Sequence, residues 1–118
     1  MGSQRVLLFA CLTWLSATVP VFAHHSLEAA YNPNQSITLT GTVTKIDWSN
    51  PHVHFFVDVK DASQTVNWEV EMGSPNAQIL GGWKIDTLKP GDRITVTVYR
   101  ARSGANLGFA KKLAKTGR

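Results

Sequence analysis

Three runs between residues 36 and 72, "SITLTGTVTKIDW", "HVHFFVDVK" and "TVNWEVEM", alternate apolar with polar residues and are rich in β-branched side chains. That period of two constrains the fold more than any other feature of the chain. It sorts successive side chains onto opposite faces of a strand, whereas a helix would scatter the apolar set around its axis. The runs predict three strands. The second turns Val53, Phe55, Val57 and Val59 inward, and the third turns Val66, Trp68, Val70 and Met72 inward. "SNP" and "DASQ" between them are turn-length connections, so neighbouring strands run antiparallel. Gly41 interrupts the first run and marks a bend or bulge.

After Met72 the texture changes. "GSPNAQILGGW" offers Ser74 as N-cap and Pro75 at the first helical position, with a stop at Gly81-Gly82. "LKPGD" is a turn, "RITVTVYR" a fourth strand and "NLGFAKKLAK" a fifth. The order β-β-β-α-β-β predicts a mainly β fold: a small five-stranded Greek-key barrel of the OB type, with one short helix between strands three and four. Val43, Val57, Val70, Val96 and Val98 then share one core with Phe55 and Trp68. The barrel is expected over residues 37–118. A polar lead-in over 24–36 precedes it, with a helical turn at Ser26–Tyr31 before Pro33.

The N-terminal residues read as an export signal. Arg5 supplies a positive start, Val6–Ala17 an apolar stretch, and Val21-Phe22-Ala23 a small-residue cleavage site. Residues 1–23 are thus expected to be cleaved, leaving an exported and most readily periplasmic chain that begins at His24 and has no transmembrane segment. The chain's one cysteine, Cys11, falls inside that signal. Thiolate metal sites, redox dithiols and cysteine nucleophiles are therefore excluded from the processed protein. Charge is unevenly divided: residues 24–99 carry five Lys/Arg against eight Asp/Glu, and from Arg100 onward there are six basic residues and no acid. A basic edge strand discourages strand pairing. In an exported protein it meets anionic lipid or polysaccharide, so nucleic acid is not expected as a partner.

"HHS" after the signal, then "GTVTKIDWSNPHV", "WEVEMGSPN", "GGW" and "LKPGDRITV", together resemble a family of short exported bacterial proteins of unknown function. The resemblance runs over nearly the whole processed chain. It implies export and a small β-barrel and brings no activity with it. The topology is also similar to that of periplasmic bacterial OB-fold proteins, which is a likeness of fold only.

All four histidines fall in two places, His24-His25 and the His52-Val53-His54 stretch. Core-facing Val53 and Phe55 put His52, His54, Phe56 and Asp58 on the outer face. If Lys60 opposes Thr65, then His54 lies across from Glu71, Phe56 from Glu69 and Asp58 from Asn67. Two imidazoles and a carboxylate on one patch suit a metal ion, and a His–Glu pair on a solvated face is the plain alternative. An N-terminal histidine chelates through its amine and Nδ1, and a third imidazole completes the set known as a histidine brace. Nitrogen ligands without thiols favour Cu(II). The expected ligands are His24, His25, His52, His54 and Glu71, and the expected cofactor is Cu(II).

No nucleophile motif accompanies the serines and threonines, and Asp58, Glu69 and Glu71 sit on an open face with nothing to exclude water. No enzyme is expected, a brace oxidase included, because no broad flat substrate platform is declared. The reading is an exported small β-barrel binding protein that takes copper through the N-terminal histidines and the strand pair. The alternative is an OB-type module that binds a protein partner or glycan without metal. It would use the outer face of strands two and three, with Phe56, Trp48 and Trp83 as its aromatic surface.

Overall fold

The computed structural model describes residues 27–117. The signal over residues 1–23, its cleavage site, Cys11, His24 and His25 lie outside the described residues. Residues 27–30 are helical, and the barrel begins at Tyr31. Its elements are β1 (Tyr31–Asp47), β2 (His54–Asp61), β3 (Gln64–Glu71), α1 (Pro75–Leu80), β4 (Arg93–Ala101) and β5 (Leu107–Gly117). The strands close in the order β1-β2-β3-β5-β4. All neighbours are antiparallel except β3 and β5, which run parallel. This is the expected five-stranded OB-type barrel, with its helix between β3 and β4. Among the described residues no helix is long and apolar enough to cross a membrane.

Closure depends on β1, which pairs with β4 over residues 31–42 and with β2 over residues 41–47. A strand serving two neighbours must curl, and Gly41 is where it does so. A Cβ there would lie 2.0 Å from the carbonyl oxygen of Asp58, a separation only glycine permits. A bulge between Val43 and Lys45 follows. The backbone groups of Val43 are satisfied by the turn before β4: its N–H donates to Asp92 O, and its carbonyl accepts from Gly91 N, both at 2.8 Å.

β1 starts earlier than the alternation suggests, so part of the lead-in expected over 24–36 is strand. Tyr31 pairs with Ala101, and a register shift separates it from Ser36. Within the intervening "NPNQ" of β1, Asn32 Oδ1 accepts from Asn34 N–H across Pro33. The core is otherwise the expected one: Val43, Val53, Phe55, Val57, Trp68, Val70, Met72, Ile94, Val96 and Val98 are buried together. In α1, Ser74 Oγ accepts from Ala77 N–H, Pro75 opens the helix and Gly81 ends it. Trp48 and Trp83 are partly buried against the core. They help cover the barrel.

Candidate functional site

The hairpin β2–β3 fixes the site. Its register pairs His54 with Glu71, Phe56 with Glu69, Asp58 with Asn67 and Lys60 with Thr65, as the spacing predicts. The outward row, which starts two residues before β2, therefore runs His52, His54, Phe56, Asp58, Lys60. Each stretch of this row has its own chemistry.

At the His52 end the side chains cross diagonally. His54 Nδ1 bonds Glu69 Oε2 at 2.7 Å, and His52 Nδ1 bonds Glu71 Oε2 at 2.5 Å. Glu71 thus partners His52 in place of His54, and its other oxygen accepts from the Tyr31 hydroxyl at 2.7 Å. Both oxygens of Glu71 are thus engaged, one by the His52 ring and one by the Tyr31 hydroxyl. Tyr31 is 4 % exposed, and its ring lies 5.7 Å from that of Phe109. Burial first, then the bond to Glu71, pushes its phenol well above the usual tyrosine range, so it stays a neutral donor. The two imidazoles remain partly exposed, and these pairs leave Nε2 of each ring for another partner. Among the described residues no group of three or more His, Cys, Asp or Glu is arranged to hold a metal ion.

In the middle of the row Phe56 is half-buried, with the Lys45 ammonium 5.5 Å from its ring centroid. Beyond it Asp58 Oδ1 accepts from Asn67 Nδ2 at 2.8 Å, and the same amide donates to Thr44 Oγ1 at 3.3 Å. The row ends in a groove of about 400 Å³ lined by Thr40, Gly41, Thr42, Asp58, Lys60, Thr65 and Arg93. The groove crosses four strands where β1 bends at Gly41. It offers hydroxyls, one carboxylate and two cations, with no apolar side chain.

The structure therefore brings His52, His54, Phe56 and Glu71 to one face, and packs one side of Trp48 and of Trp83 against the core. Sequence reading did not identify Tyr31, Glu69 or the groove residues Thr40, Thr42 and Arg93 as parts of a site. Glu69 stood one place away in the register. The groove depends on the curl of β1, which brings β4 beside β2, and no local pattern announces that.

The family described as a family of unknown function (DUF6152) matches residues 13–110. No curated protein sequence matches the chain. Among solved structures, the chain is similar to the mitochondrial single-stranded DNA binding protein Rim1 of S. cerevisiae. One crystal form superposes with a TM-score of 0.55 at 10% identity, covering 71% of this chain and 95% of that one. A second form gives the same score and identity over 71% and 94%. At that identity the likeness is one of fold. It supports the OB assignment, and the protein it points to is a binding protein. It also overturns the exclusion of nucleic acid. That exclusion rested on the expected export of the chain, whereas the same barrel serves a single-stranded DNA binding protein. Five of the ten described Lys and Arg residues lie on β4 and β5, which carry no acid.

Proposed function

The chain belongs to that family of unknown function, and we propose that it is an OB-type binding module that holds an oligosaccharide on the outer face of β2 and β3. One observation carries the reading: Phe56 stands between two sets of fixed polar groups on a single row. The His54–Glu69 pair lies on one side of it, and the Asp58–Asn67 pair and the hydroxyl-lined groove lie on the other. A sugar ring has an apolar face that stacks on an aromatic side chain and a rim of hydroxyls that needs donors and acceptors already in place. Strands two and three are also where OB barrels bind oligomers. A protein partner fits less well, because protein interfaces centre on a larger apolar core and Phe56 is the one large apolar side chain in the row. Export through residues 1–23 and residence in the periplasm accompany this proposal. The N-terminal mass of the chain recovered from cells tests them, with His24 as the expected first residue.

Calorimetric titration with chito-, cello- and malto-hexaose tests the ligand class. At least one should bind with a Kd below 1 mM, about −4 kcal/mol. Phe56→Ala should weaken that binding more than tenfold while the melting temperature stays close to that of the parent chain. Binding weaker than millimolar for all three, or indifference to Phe56→Ala, would refute the proposal. A second reading is favoured by Lys60 and Arg93 in the groove and by the likeness to Rim1: a single nucleic-acid strand stacked on Phe56, with phosphates at the two cations. Oligo(dT) in the same titration separates the two, since only its affinity should fall steeply with added salt.

A further inference from the structure

We propose that His52 and His54 form a Cu(II) site through their Nε2 atoms, at the end of the row away from the groove. Two residues apart on one strand face, the imidazoles lie about 7 Å apart at their bases. That spacing lets both rings converge on one ion about 2 Å from each nitrogen. The stronger observation concerns what stands behind the rings. Each Nδ1 is held by its own carboxylate, His52 by Glu71 and His54 by Glu69. Glu71 is in turn held by the buried Tyr31 hydroxyl. A carboxylate at Nδ1 fixes the tautomer that places the lone pair on Nε2, and it raises the basicity of that nitrogen. This is the outer-shell arrangement that metal-binding histidines use.

A pair of solvated surface His–Glu contacts has no need of a buried phenol bracing one carboxylate. A divalent ion does, because it requires the ring at a set angle. The surrounding charge agrees: β2 and β3 carry four carboxylates and one lysine. Neutral nitrogen donors without thiolate select Cu(II) from the divalent ions. The barrel supplies two ligands, and water completes the coordination.

The test is a Cu(II) titration of the full chain with Cys11, His24 and His25 replaced by Ser, Ala and Ala, so that N-terminal thiol and imidazole donors are absent. One ion per chain should bind, with electron paramagnetic resonance showing coupling to two equivalent imidazole nitrogens. His52→Ala and His54→Ala should each weaken binding more than tenfold, and the double variant little further, because either change dismantles the same set. Glu71→Gln should weaken affinity while leaving the two-nitrogen signature, the behaviour of a residue that orients a ligand. Phe56→Ala separates this site from the sugar site: it should weaken oligosaccharide binding more than tenfold and leave Cu(II) binding intact. Absence of stoichiometric binding, or affinity unchanged by His52→Ala and His54→Ala in chains that melt like the parent, overturns the proposal.

Discussion

Tyr31 shows how much a single buried hydroxyl can organise. Its phenol lies in the barrel wall, packs at a tilt against the Phe109 ring and donates to Glu71. Tyr31→Phe keeps the ring and removes the donor, leaving a part-buried carboxylate oxygen unpaired. Bonds to charged groups contribute about 1.5–3 kcal/mol, so urea denaturation should show a loss of that order. Because the folded phenol titrates above its ordinary range, its contribution is fully present below about pH 10, where a free tyrosine ionises. The loss on substitution should therefore be constant from neutral pH up to about pH 9. A loss that shrank across that range would mean that the hydroxyl is not bonded as described. Val57, fully buried, makes the opposite case for the inner face. Val57→Asp should cost several kcal/mol, whereas Glu69→Gln keeps an acceptor for His54 and should cost little. Equal costs in denaturation experiments would contradict the alternation itself.

Elements were legible where a local period or cap governs them, and obscure where two distant strands meet. The hairpin β2–β3 followed from alternation and turn length, down to the pairing of Lys60 with Thr65. Helix α1 followed from Ser74, Pro75 and Gly81. The fifth strand was recognised, but the reason for Gly108 in it was not. A Cβ there would fall 2.4 Å from Val98 Cγ2, inside a core where Val98 has no room to move. Gly108→Ala should cost about 1–3 kcal/mol by overpacking. A melting temperature unchanged from the parent would show that β5 sits further from β4. The "LKPGD" turn was legible as a turn but not as a buttress for β1. Its buried Asp92 accepts from Lys89 N–H at 2.9 Å and from Lys115 Nζ at 3.2 Å. The Lys89 N–H chiefly, with help from Lys115, holds this carboxyl below the usual carboxylate range against the effect of burial. A lowered folded value gives stability that is present above about pH 4 and lost as pH falls through it. The melting-temperature difference between the parent and Asp92→Asn should thus be greatest near neutrality and shrink below pH 4.

Across the whole barrel, net charge misdescribes the surface. Behind the formal charge of +4 stand one acidic pair of strands and one basic pair. β2 and β3 hold Asp58, Asp61, Glu69 and Glu71 against Lys60, while β4 and β5 hold Arg93, Arg100, Lys111, Lys112 and Lys115 with no acid. Part of that division was readable from the run of basic residues after Arg100. Its placement on adjacent strands was not, because β5 inserts between β3 and β4 only when the barrel closes. Five like charges on two neighbouring strands create a local field that a polyanion senses irrespective of the chain's average. Lys111 rests over the Tyr99 ring and Lys112 is exposed, whereas Lys115 is tied to Asp92. Lys111 and Lys112 can therefore be altered without disturbing the turn. Lys111→Gln with Lys112→Gln should lower the salt concentration that elutes the protein from heparin, because fewer counterions are released on binding. The same double variant should leave oligosaccharide affinity at the Phe56 row unchanged, since those lysines lie on other strands and salt screens exposed charges beyond about 10 Å. Joint loss of heparin retention and sugar binding would show that one continuous surface, and not two, meets both ligands.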